Sequence, residues 1–286
     1  MNAANQPSQR NLSNRRTLRS ILLYSLLTVV AALVLFPLWS AFTISMLDES
    51  QVATYPPLLA PTQLHLTNFV RAMQQAPLLR YLFNSIFQSS IVMIGQLATA
   101  SLAAYAFAFI DFKGRNLMFL VFLSTMMIPW EATIIPNYLT VRSLGWTDTF
   151  MGLTAPFLAT AFGTFLLRQF FLTIPRELQD AATIDGCGSF RFLVSIVLPL
   201  ARPALGTLAV YSFLQTYNQY LWPLLITNDQ QMRTVQIGIA LLQDEERFMF
   251  NIVMAGVVLV LLPTFALFIV GNRQLIRGLT AGAVKG

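Results

Sequence analysis

Side chains able to carry chemistry are few in this chain, and their types exclude most enzymatic centres. There is one histidine, His65, and one cysteine, Cys187. A Ser/His/Asp relay has little to draw on, and a disulfide framework or multi-cysteine metal site lacks a second ligand. Both residues are read as ordinary surface positions. No G-x-x-x-x-G-K-[ST] sequence occurs, so no loop here can cradle nucleotide phosphates. No catalytic residue, metal ligand or cofactor is assigned. Two groups of residues remain. One is a segment of acids and small residues within 174–203. The other is a set of amides and aromatics set inside apolar runs.

The elements that must position them are membrane helices. The chain is 56% hydrophobic and 10% charged, whereas soluble domains carry about 25% charged residues. At 286 residues it has room for about six spans of roughly 20 residues each. Apolar runs at 21–44, 85–109, 116–135, 150–171, 204–226 and 250–270 are read as six transmembrane helices, because hydrocarbon offers the backbone no hydrogen-bond partner. The alternating segments of a β-barrel are missing. The fold class is therefore an all-α membrane protein with a domain at 21–270, between polar tails at 1–20 and 271–286. The first run is longer than the core of a cleavable signal and is read as a retained span.

The net charge of +6 sits at the flanks of apolar runs, which argues for topology and against nucleic acid. With the N-terminus in the cytoplasm, most basic residues fall inside, from Arg10, Arg15, Arg16 and Arg19 through Lys113, Arg115, Arg168, Arg176 and Arg191 to Arg273, Arg277 and Lys285. Arg71, Arg80, Arg142, Arg233 and Arg247 fall outside. Both termini are thus placed in the cytoplasm. Outside, 66–83 is read as one amphipathic surface helix, and 129–148 as a broken helix and a turn.

Segment 174–203 is a cytoplasmic loop with helix punctuation at both ends. Pro175 suits a first turn. Glu177 and Asp180 place negative charge where a helix dipole favours it. Leu178, Ala181 and Ala182 share one face. Gly186 stands where a left-handed residue ends a helix. Ser189 is read as the cap of a second short helix that stops near Pro199. The result is two short helices with a tight bend, the first presenting a small apolar face beside acids.

This pattern, Ala181-Ala182-x3-Gly186-x9-Ile196-x-Leu198-Pro199, resembles the EAA loop of ABC importer permeases, with Asp180 where the family usually has glutamate. The extended form at 174–178 and 184–186, and the stretch 278–286, look like the carbohydrate-uptake class. Stretches 168–171 and 218–225 resemble its glycerol-3-phosphate and maltose subgroup. The resemblance implies the type I importer permease fold in a bacterial inner membrane. It implies that Glu177, Asp180, Ala181, Ala182, Asp185 and Gly186 form the element that docks on a cytoplasmic ATPase. Its implied partners are a second homologous permease, two ATPase subunits and an extracytoplasmic solute-binding protein, with a sugar or a solute such as glycerol 3-phosphate as cargo. The alternatives are an ion-coupled secondary transporter acting alone, with only Glu131 and Arg168 as charged candidates near helix ends, and a membrane scaffold without transport.

For the solute path the amides Gln88 and Gln96 in the second helix, and Gln215, Tyr217, Asn218 and Gln219 in the fifth, are candidates. Neutral donors and acceptors with aromatic rings suit a sugar. The same amides also suit hydrogen bonding between helices. Gly95, Thr99 and Ala103 are read as a close-packing stripe, and Pro223 and Pro263 as kinks. Glu131 is read as a gate, a partner contact or a solvated acid.

Overall fold

The computed structural model describes residues 9–61, 63–243 and 249–280. Arg247, Lys285 and the last six positions of the 278–286 stretch lie outside them. Among the described residues the structure is helical, with no strand.

The first span is α1 (Gln9–Ser45). Its apolar window is wholly unburied; only the end near Thr43 to Leu47 enters the core. A short α2 (Glu49–Val52) and α3 (Thr67–Gln75) follow. The surface helix expected over 66–83 is divided at Pro77, and 78–83 belong to α4 (Leu78–Phe109). That second span starts a full two turns earlier than the hydropathy pattern places it. At 32 residues it reaches about 48 Å at 1.5 Å per residue, more than the roughly 30 Å hydrocarbon layer.

Three further spans are bent. α5 (Arg115–Ser124) with its 3₁₀ turn Thr125–Met127 meets α6 (Trp130–Ser143) at 94°. The single run expected over 116–135 therefore breaks at Ile128, whose extended backbone (ψ 114°) precedes Pro129, as residues before proline prefer. The helix α6 then continues through Pro136 to the turn at Gly145 (φ +67°). α7 (Phe150–Thr154), closed by the 3₁₀ turn Ala155–Phe157, meets α8 (Ala161–Phe171) at 47°. α9 (Glu177–Ile184) and α10 (Ser189–Phe192) lead through a π-helical turn at Leu193–Val197 into α11 (Leu198–Leu200). The segment Ser189–Leu200 meets α12 (Arg202–Tyr217) at 82°.

The fifth run also breaks, at Asn218 to Tyr220, before α13 (Leu221–Ile226). Pro223 is not the kink there; it sits in the first turn of α13, where its missing N–H costs little. α14 (Val235–Leu241) and α15 (Phe250–Thr280) complete the chain, with Pro263 inside continuous helix. Among the described residues, three helices are long and apolar enough to span a membrane, or up to six if each bent pair is one span. α12 is the hub, packing on α4, α8 and α15. The stripe at Gly95 and Thr99 packs closely: a Cβ at Gly95 would lie 2.6 Å from Leu158 Cδ2, and Thr99 Oγ1 donates to Leu158 O at 2.8 Å.

Candidate functional site: the acidic bend and the amide breaks

Helix α9 starts with its acids where the backbone wants them. Glu177 and Asp180 lie in its first turn, after Arg176 as N-cap; Pro175 sits one residue further out. Its end is a Schellman closure. Cys187 N donates to Ala182 O at 2.8 Å and Gly186 N to Thr183 O at 3.0 Å, with Gly186 at φ +72°. Position 186 is glycine because only glycine takes that conformation without strain. The second short helix is capped by Gly188; Ser189 is its first helical residue.

The two faces of the bend differ. Ala182 is 6% exposed and packs in one core cluster with Phe109, Phe171 and Phe192. Phe192 meets Phe109 edge-on at 5.5 Å between ring centres. Gln179 Nε2 donates to Phe109 O at 3.4 Å. These contacts fasten the bend to the ends of α4 and α8. The expected shared apolar face is therefore split: Ala182 anchors inward, while Leu178 and Ala181 face out. Ile184 and Phe190, 87% and 71% exposed, extend that outer face; neither is singled out by the EAA pattern, although two apolar residues flanking a bend are visible in the sequence. Asp180, Asp185 and Glu177 are exposed, and none is ion-paired among the described residues, where Arg115–Asp111 is the only pair.

The amide candidates separate into two groups. Gln88 is buried, with Nε2 donating to Gln219 Oε1 at 3.0 Å and to Leu153 O at 3.3 Å. Gln96 donates to Phe157 O at 2.8 Å and accepts from Ser212 Oγ at 2.6 Å. Tyr217 is buried, and its hydroxyl donates to Val260 O at 2.7 Å. These three brace helices against one another. Gln215 and Asn218 are exposed. Gln215 Nε2 donates to Tyr211 Oη at 3.0 Å, and Gln236 Nε2 to Asn218 Oδ1 at 3.4 Å. With Tyr220 also exposed, the α12–α13 break carries an accessible surface of amides and phenols. Tyr211 stands one turn before Gln215, a spacing readable from sequence; Gln236 on α14 reaches the surface only through the fold. Glu131 is exposed in the first turn of α6.

Comparison with known proteins fits this geometry. The family model described as binding-protein-dependent transport system inner membrane component matches residues 96–275. The chain is 38% identical over 276 residues to the sn-glycerol-3-phosphate transport system permease protein UgpE of Yersinia enterocolitica serotype O:8 / biotype 1B, covering 94% of this chain and 98% of that one. It is 35% identical over 274 residues to the UgpE protein of Rhizobium meliloti (strain 1021), covering 93% and 97%. A crystal structure of a bacterial ABC transporter involved in the import of the acidic polysaccharide alginate superposes with a TM-score of 0.80 at 23% identity, over 95% of this chain and 99% of that one, and so shares the fold. The chain is thus a multi-pass protein of the bacterial inner membrane, and it belongs to the family of inner membrane components of binding-protein-dependent transport systems.

Proposed function

We propose that the chain is a permease subunit of an ABC importer for a sugar or a related solute such as glycerol 3-phosphate, the cargo named for its permease relatives. It has no nucleotide-binding motif of its own, so ATP hydrolysis belongs to a separate subunit. Its partners are a second homologous permease, two ATPase subunits and an extracytoplasmic binding protein. Both termini and the α9–α10 bend face the cytoplasm. Glu177, Asp180, Ala181, Asp185 and Gly186 meet the ATPase, and Ala182 transmits the motion inward. ATP binding biases the balance of inward- and outward-facing states through this bend. Gln215, Asn218 and Gln219 contribute to the path, at the break between α12 and α13 where amides and phenols are accessible.

The observation that carries the coupling assignment is the bend's two-sidedness: an inner face locked to α4 and α8, and an outer face with bare Ile184 and Phe190 beside acids that have no ion-pair partner among the described residues. The test is photocross-linking from Ile184 in native inverted vesicles. Capture of an ATPase subunit supports the reading, and Asp180→Lys removes the capture. Absence of capture, or labelling of an Ile184→Cys variant by an impermeant thiol reagent added to intact spheroplasts, overturns it.

A further inference from the structure

The turn between α4 and α5 follows directly on Phe109, to which the bend is fastened. Residues 111–117 line a groove of about 510 Å³. Lys113 and Arg115 bring two cations to it, against one carboxylate, Asp111. Arg115 Nη1 donates to Asp111 Oδ1 at 2.7 Å and to Ile110 O at 3.2 Å. A third cation packs on α5: the Arg168 guanidinium lies 4.0 Å above the Phe119 ring, and its Nε donates to Phe107 O at 3.2 Å. Among the described residues neither Lys113 nor Arg168 has an acidic partner. Helix α5 starts without a capping side chain, so its first N–H groups add partial positive charge.

The groove does not open onto a polar surface. Leu117, Leu120 and Val121, at i, i+3 and i+4 and so on one face of α5, are 66%, 64% and 60% exposed. A net-positive groove thus runs directly onto a bare aliphatic helix face in a membrane-spanning segment. Free phosphate would satisfy the cations and leave that face unused. An occupant with an anionic head and aliphatic tails satisfies both. From this juxtaposition we infer that the α4–α5 turn is a binding site for an anionic phospholipid, with the headgroup phosphate on Lys113 and Arg115 and the acyl chains along Leu117, Leu120 and Val121. The inference rests on the chain's place in the membrane and not on which solute the importer carries.

The test uses the importer assembled with its co-expressed subunits, in nanodiscs containing phosphatidylglycerol or phosphatidylcholine with a diazirine in one acyl chain. Labelled peptides are mapped by mass spectrometry. Phosphatidylglycerol is expected to label the α5 peptide well above phosphatidylcholine. Lys113→Gln should cut that preference about fivefold, and Lys113→Gln/Arg115→Gln by roughly the square of that, from the worth of one basic residue at a membrane surface. Lys113 is exposed, so Lys113→Glu keeps the test sound if the double variant assembles poorly. Equal labelling by the two lipids, or unchanged labelling in Lys113→Gln and Lys113→Glu, means the cations serve topology alone and overturns the inference. Loss of the preference to excess inorganic phosphate at matched ionic strength means a free-anion site and overturns it too.

Discussion

Gln88 Nε2 lies 3.0 Å from Gln219 Oε1, and this amide pair joins the buried face of α4 to the break between α12 and α13. The donor also reaches Leu153 O of α7 at 3.3 Å. One side chain therefore braces three elements around the place where the fifth span loses its helix. Of the two roles the sequence leaves open for Gln88, solute contact and hydrogen bonding between helices, these bonds display the second. Gln88→Leu is expected to lower the stability of the purified permease by about 0.6 to 1.7 kcal/mol, the range for interhelical hydrogen bonds in membranes. Gln215→Leu, at an exposed position, should leave melting unchanged and reduce solute uptake. Thermal melts in detergent paired with uptake in vesicles separate the two. The opposite pattern would return Gln88 to the path.

Asp148 holds the loop that follows α13. Its Oδ1 accepts from Asn228 N at 2.5 Å and Asp229 N at 2.7 Å, while its own N–H donates to Ile226 O at 3.0 Å. It does so from a left-handed backbone at φ 55°, which Asp and Asn tolerate better than other side chains. Asp148→Ala is expected to cost about 0.5–1.5 kcal/mol by removing hydrogen bonds to N–H groups that water can then reach and to expose the 226–233 segment to protease. Asp148→Asn keeps an oxygen and the backbone preference, so it should cost less than half as much. Limited proteolysis alongside melting reads both effects.

The bend was legible in the sequence because capping is local chemistry. Gly186 and the acids of α9 announce their backbone roles within a few residues. The direction of the spans was not. A hydropathy window records that 116–135 is apolar and says nothing of the 94° turn after Met127, although Pro129 marks the place. The early start of α4 was hidden for a different reason. Arg80 and Asn84 look like surface residues, yet their side chains donate to Gln231 O, and Asn84 also to Arg233 O, so a distant loop supplies the acceptors that make a helix start there workable. The two alanines show the same limit. Ala181 and Ala182 are chemically identical, and only the packing of α9 against Phe109 and Phe192 decides which is an anchor and which faces out.

Phe192 is the joint between that bend and the membrane helices. It is 2% exposed, edge-on to Phe109 at 5.5 Å and tilted toward Tyr105 at 6.3 Å. Phe192→Ala removes the ring and leaves a cavity, at a cost of about 3–5 kcal/mol. The outer face, with Ile184 and Asp180, is untouched by that change. An ATPase subunit should therefore still co-purify, while solute moved per ATP hydrolysed falls. Phe192→Leu, which fills much of the volume, should retain most of the coupling. Loss of co-purification in Phe192→Ala with an unchanged melting temperature would place Phe192 in the docking surface instead.

Gly186 allows the backbone and the partner surface to be tested apart. At φ +72° any side chain with a Cβ is strained, yet a Cβ there would meet no atom within 4 Å. The cost of Gly186→Ala is then conformational, about 1–2 kcal/mol, and Gly186→Asn should cost less because asparagine visits this region more readily. Gly186→Trp carries a backbone penalty of the same kind as alanine, and its side chain starts from a Cβ that meets no atom within 4 Å. If nothing docks at the bend, the alanine and tryptophan variants should be equally stable and equally active. If an ATPase subunit sits there, the alanine variant should still bind it, and the tryptophan variant should lose it while the isolated permease melts within about 1 kcal/mol of Gly186→Ala. Melting of the isolated permease and pull-down of the ATPase, run on the three variants together, decide between the two.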